Sequence, residues 1–123
     1  MIIGIIGTRR RDSEEDYRLV EEAYLRNRTS NSDIICSGGC PTGGDKFAKW
    51  LHEEYVTPYL EFPADWAKHG KAAGLERNKD IAEWSDILIA CVSQDRVGGT
   101  EDTIFKWQVA HPDASPILVK EAS

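Results

Sequence analysis

The 123-residue chain lacks several signatures that would settle its class at once. It has no apolar run near the roughly 20 residues a membrane span needs. Its first residues, 1–7, carry neither the charged region nor the cleavage site of a secretory signal. Cysteine is scarce and odd in number, at three, so no disulfide framework is built, and a reducing cytoplasm is the expected location. Basic residues are in deficit: 15 Lys and Arg against 21 Asp and Glu give a net charge of −6. A protein that tracks a phosphate backbone needs the opposite balance, so nucleic acid is not the expected partner. The GxGxxG dinucleotide fingerprint is missing and so is the P-loop pattern, which argues against an ordinary dehydrogenase or a P-loop ATPase.

Hydrophobic residues make up 41% of the chain and charged residues 29%, the proportions of a globular domain. Residues 2–6 form an apolar run ended by Gly7, as in a strand buried on both faces. Asp12 and Ser13 supply N-cap chemistry for a helix in which Tyr17, Val20, Tyr24 and Leu25 share a face. Residues 33–37 read as a second strand, and residues 40–44 as a loop opening a helix with Phe47, Trp50, Leu51 and Tyr55 on one side. A third strand spans 57–62 and a third helix about 71–84, with Ala73, Arg77, Ile81 and Trp84 in register. Residues 86–92 form a fourth strand. Thr100 reads as the N-cap of a helix over 101–110, which Pro112 prevents from continuing. Residues 116–120 close a fifth strand. Strict alternation of strand and helix predicts one domain, a three-layer α/β/α Rossmann-like fold with a five-stranded parallel sheet in order 3-2-1-4-5.

In such a sheet the loops after the strands emerge on one edge, where ligands bind at the switch of strand order. Gly7 follows strand one, Gly38 and Gly39 follow strand two, and Gly98 and Gly99 follow strand four, while Gly43 and Gly44 precede a helix. Glycine admits close backbone approach, and helix N-termini present amides to anions. These loops together point to a phosphate or nucleotide site, although each taken alone is also an ordinary tight turn. Arg9 is suited to clamping a phosphate, with Arg10 and Arg11 expected at the surface. Asp45, Asp65 and Glu101 are the candidate catalytic carboxylates. Asp45 in a helix's first turn equally complements the helix dipole. Trp66 fits either stacking on a base or packing. Lys46 and Lys71 are weaker candidates. Cys36 and Cys91 read as core, and Cys36, Cys40 and the scattered histidines give no metal set, so neither metal nor cofactor is expected.

Gly7-Thr8-Arg9, Ser37-Gly38-Gly39, Gly43-Gly44-Asp45-Lys46, Pro63-Ala64-Asp65-Trp66, Arg77-Asn78 and Gly98-Gly99-Thr100 occur in an order that resembles the SLOG superfamily, most like its small YspA/YpsA-related branch. The resemblance spans nearly the whole chain. It implies a Rossmannoid fold, a nucleotide-derived ligand and a homodimer or higher homo-oligomer. Relatives in that superfamily include the "lonely guy" phosphoribohydrolases and the DNA-processing DprA proteins. By the same resemblance Gly98, Gly99 and Thr100 hold a phosphate, with Thr8, Ser37 and Asn78 around the ligand and Arg77 beside the ribose. One departure bears on activity. The phosphoribohydrolases carry a Glu three residues past the loop Thr, where this chain has Thr103. Glu101 lies about 200° from that position on a helix and does not replace it. The expected function is therefore a binding, sensing or sequestering module for a nucleotide-derived small molecule, with N-glycosidic hydrolysis as the alternative.

Overall fold

The structure, a computed structural model, describes residues 1–121. Five strands, β1 (Ile2–Gly7), β2 (Ile34–Ser37), β3 (Tyr59–Glu61), β4 (Ile87–Cys91) and β5 (Ile117–Val119), alternate with helices α1 (Glu14–Asn27), α2 (Gly44–Tyr55), α3 (Trp66–His69), α4 (Ala73–Trp84) and α5 (Gly99–Ala110). All strand pairs are parallel and the order is β3-β2-β1-β4-β5, as the alternation predicts. No described helix is long and apolar enough to cross a membrane.

The period of two in the strands sorts side chains to two cores. Ile3, Ile5, Ile35, Ile89 and Cys91 face α1 and α2, where Tyr17, Val20, Tyr24, Phe47 and Leu51 cover them. Ile6, Cys36, Leu88 and Ala90 face the other way and meet Ile81, Ala82, Ile104 and Trp107 of α4 and α5. Each large buried side chain of this kind stabilises the fold by about 1.5–3 kcal/mol relative to exposure. Burial pushes the thiols of Cys36 and Cys91 up to about 11, so both behave as core side chains. Two glycines of β1 admit the helices. A Cβ on Gly4 would lie 2.2 Å from Ser85 Oγ, and one on Gly7 would lie 2.9 Å from Gly44 Cα.

The structure corrects several local expectations. The helix expected over about 71–84 is α4 at Ala73–Trp84, but two short turns precede it: the Asp65 side chain accepts from the Lys68 amide and starts α3, and a 3-10 turn spans Gly70–Ala72. Thr100 is inside α5, and Gly98, at φ 115°, takes the cap position that only a residue without Cβ adopts freely. Leu25, Trp50 and Trp84 are exposed, because each lies at the margin of its helix's apolar stripe. Arg11 is the largest departure. It was expected at the surface, yet it is 1% exposed. Its guanidinium donates to the Val92, Val119 and Lys120 carbonyl oxygens and pairs with Asp16 at 2.9 Å. A buried arginine is tolerated because strand-end carbonyls and a carboxylate satisfy its fork.

Candidate functional site

β1 and β4 are neighbours, but the chain leaves β1 for α1 on one face and leaves β4 for α5 on the other. Their carboxyl ends therefore part, as at the switch point of any doubly wound sheet. A cleft of about 460 Å³ opens there. Its wall comes from the loop after β1 (Gly7, Thr8, Arg9, Arg10), the β2–α2 segment (Cys40, Asp45), α4 (Arg77, Asn78, Ile81) and the start of α5 with the residues before it (Val97 to Thr100, and Thr103).

The β1 loop is held by the Thr8 amide, which donates to Cys91 O at 3.0 Å, and by the Arg10 amide on Thr8 Oγ1 at 3.3 Å. Arg10 forms a two-pronged ion pair with Asp95, at 2.9 and 2.6 Å. That guanidinium holds the Asp95 carboxyl well below the usual range. Arg9, beside it, is exposed and has no ion-pair partner among the described residues.

Asp45 is positioned from beneath. Ser37 Oγ, fully buried, lies 2.7 Å from Asp45 Oδ1 and 2.5 Å from the Ile5 carbonyl oxygen. The Cys40 amide donates to Asp45 Oδ2 at 3.1 Å. Asp45 is the one carboxylate in the cleft wall among the described residues. Arg77 reaches over from α4, donating Nη1 to Gly38 O at 2.8 Å and Nε to Asn78 Oδ1 at 3.1 Å. Asn78 in turn donates to Asp102 Oδ2 at 3.1 Å and approaches Gly99 O at 3.4 Å, tying α4 to the start of α5. No side chain caps α5. A Cβ at Gly98 or Gly99 would meet nothing within 4 Å, so this helix start is open.

Nine of the residues singled out in the sequence line the cleft: Gly7, Thr8, Arg9, Asp45, Arg77, Asn78, Gly98, Gly99 and Thr100. Ser37 and Gly38 act one layer behind, as supports of Asp45 and Arg77. The remaining candidates lie outside the wall. Gly43, at φ 73°, fits against the Thr8 carbonyl and donates its amide to Asp12 at 2.7 Å. Lys46 pairs with that same Asp12 at 2.6 Å and sits over the Trp50 ring at 4.6 Å. The Gly43 amide and Lys46 together lower the Asp12 pKa. Gly39, at φ 79°, abuts Glu61. Asp65 caps α3, and Trp66 is 62% exposed. Glu101 is held by Arg96 in a pair of bonds at 2.9 and 2.8 Å.

Ile6, Arg10, Cys40, Ile81, Val97 and Thr103 line the cleft without having been singled out as ligand contacts. Thr103 was noted only as standing in place of a glutamate. Ile6 and Ile81 read as core because they are core on one side and cleft floor on the other. Among the described residues no group of three or more His, Cys, Asp or Glu side chains is placed to hold a metal. No protein-family model, no curated protein and no solved structure matches this chain.

Proposed function

We propose that the cleft binds a nucleotide or nucleotide-derived phosphoribosyl ligand, of the ADP-ribose kind, and that the protein acts as a sensing or sequestering module. The observation that carries this reading is the uncapped start of α5 opening into a cleft that also presents Arg9 and Arg77. The first amides of a helix carry a partial positive charge that favours an anion by about 0.3–1 kcal/mol, more where partly buried. A guanidinium–phosphate hydrogen bond adds roughly 1.5–3 kcal/mol. The overall charge of −6 does not exclude an anion here, because exposed charges more than a Debye length of about 8 Å away are largely screened. The volume, about 460 Å³, lies within the ~300–1,000 Å³ range of small-molecule sites. The resemblance to the SLOG superfamily agrees with this ligand class.

Hydrolysis of an N-glycosidic bond is the second reading, favoured by one observation: Asp45 is fixed by Ser37 and the Cys40 amide at the cleft wall. A carboxylate so held stabilises an oxocarbenium-like ribose or orients a water.

The test is to incubate the purified protein with AMP, ADP-ribose, NAD and cyclic ADP-ribose, following thermal shift and product chromatography. A shift that weakens on Arg9→Ala and Arg77→Ala supports the binding module. A free base that disappears on Asp45→Asn makes the protein a hydrolase. Absence of any shift and any product with all four compounds rejects both readings.

A further inference from the structure

Ile6 of β1, Asn78 and Ile81 of α4, and Thr103 of α5 are the deeply set residues of the cleft, each 7% exposed or less. Ile6 and Ile81 are hydrocarbon. Asn78 is spent on Arg77, Asp102 and the Gly99 carbonyl oxygen. Thr103, 2% exposed, is different: its hydroxyl has no hydrogen-bond partner among the described residues. The unpartnered polar side-chain atoms sealed from solvent there are the hydroxyls of Tyr24 and Thr57, and Thr103 is not one of them. Its hydroxyl therefore owes its small exposure to the cleft that the residue lines. A buried hydroxyl left without a partner costs stability, so one aimed into a cleft points to a ligand that completes it.

The place of Thr103 on α5 says which part of a ligand that is. Thr103 follows Gly99, the first residue of the helix, by four positions. The two share a face, about 6 Å apart along the axis. Side chains on a helix lean toward its N-terminus, so the Thr103 hydroxyl is aimed at the uncapped start. An anion held by the first amides then lies one turn above it. In a nucleoside 5′-phosphate the group at that remove is the sugar of the same nucleotide, with the base farther off. The sugar's carbon skeleton suits Ile6 and Ile81. A ring hydroxyl donates and accepts, as a threonine hydroxyl does, so the two are mutually complementary.

We propose that Thr103 is the specificity determinant of the cleft, reading a sugar hydroxyl and so selecting a ribonucleotide-type ligand over its deoxy counterpart. This inference deepens, and rests on, the phosphoribosyl reading of the cleft. A deoxy ligand would cover the Thr103 hydroxyl without pairing it, which is how a site built for a hydroxyl rejects the analogue lacking one.

The experiment is calorimetric titration of the full chain with AMP, ADP-ribose, NAD and cyclic ADP-ribose, and with the 2′-deoxy and 3′-deoxy analogues of each compound that binds. One deoxy analogue is expected to bind about tenfold more weakly than its parent. Thr103→Val, which keeps the shape and removes the hydroxyl, should weaken the parent about tenfold and leave that analogue unchanged. Thr103→Ser should keep the discrimination. Because the hydroxyl has no partner in the fold, the valine variant should melt no lower than the wild-type chain. If none of the four compounds binds, the phosphoribosyl reading falls and this inference with it. If one binds, equal affinity for its deoxy analogues overturns the role of Thr103 alone. So does a valine variant that still discriminates, that weakens parent and analogue by the same factor, or that melts markedly lower, and so does a serine variant that no longer discriminates.

Discussion

Arg77 donates its Nη1 to the carbonyl oxygen of Gly38, 39 residues away in sequence, at 2.8 Å. The bond joins α4 to the loop after β2 and brings a guanidinium alongside Asp45 in the cleft wall. A Cβ on Gly38 would stand 2.4 Å from Arg77 Nη1 and 2.9 Å from Asp45 Oδ2. The clash falls on the ends of side chains, which move cheaply. Gly38→Ala is therefore expected to cost less than about 1 kcal/mol in stability while displacing Arg77 and Asp45 and weakening the ligand-induced thermal shift. Urea denaturation together with that shift checks it. A destabilised protein with undiminished binding would contradict the arrangement.

Gly44→Ala is expected to behave in the opposite way. Its Cβ would meet backbone, 2.1 Å from the Gly7 nitrogen and 2.2 Å from the Ile6 carbonyl carbon, where nothing can swing aside. α2 must then lift from β1. A loss of about 3 kcal/mol or more is expected, enough to remove much of a small domain's stability. The midpoint of chemical unfolding reads it directly.

Arg11→Met should cost roughly 2–4 kcal/mol, since it leaves Asp16 and the carbonyls at the ends of β4 and β5 without their donor. Arg11→Lys should recover little of this, because an ammonium does not reproduce the planar fork. Equal stability of the lysine variant and the wild-type chain would show that charge alone matters there.

Acid should unfold the protein partly through Asp33. Burial raises its pKa, but the Thr29 and Ser30 amides, the Thr29 hydroxyl and the terminal ammonium overcome this and bring it to about 2, below the ordinary 3.8. A carboxyl with a depressed folded-state pKa contributes stability above its unfolded value and loses it as pH falls through the folded one. The contribution, on the order of 2 kcal/mol, is expected to fade between about pH 4 and pH 2. Asp33→Asn should flatten the acid limb of a plot of stability against pH over that window. An unchanged acid limb would remove Asp33 from the account.

Much of the architecture was legible because it depends on short-range pattern. Ile3 and Ile5 alternate with Ile6, Ile35 with Cys36, and Ile89 with Leu88 and Ala90, so each strand declares two covered faces. Ser13 with Asp16 makes the capping box that starts α1. The cleft was partly legible for a related reason: a parallel sheet sends every loop after a strand to one edge, so Gly7 and Gly98 had to lie near one another.

What stayed hidden depends on partners far along the chain. Arg9, Arg10 and Arg11 are chemically alike, yet among the described residues one has no ion-pair partner, one pairs with Asp95, and one is buried under the ends of β4 and β5. Lys46 turns to Asp12, and Glu101 to Arg96, both away from the cleft wall that Asp45 keeps. The amino-acid sequence by itself determined the main strands and helices, the parallel sheet and the edge where the cleft opens, because propensity, period and connection length act locally. Only the tertiary structure decided which charges are spent on other charges and which line the cleft, because electrostatic pairing follows distance in space.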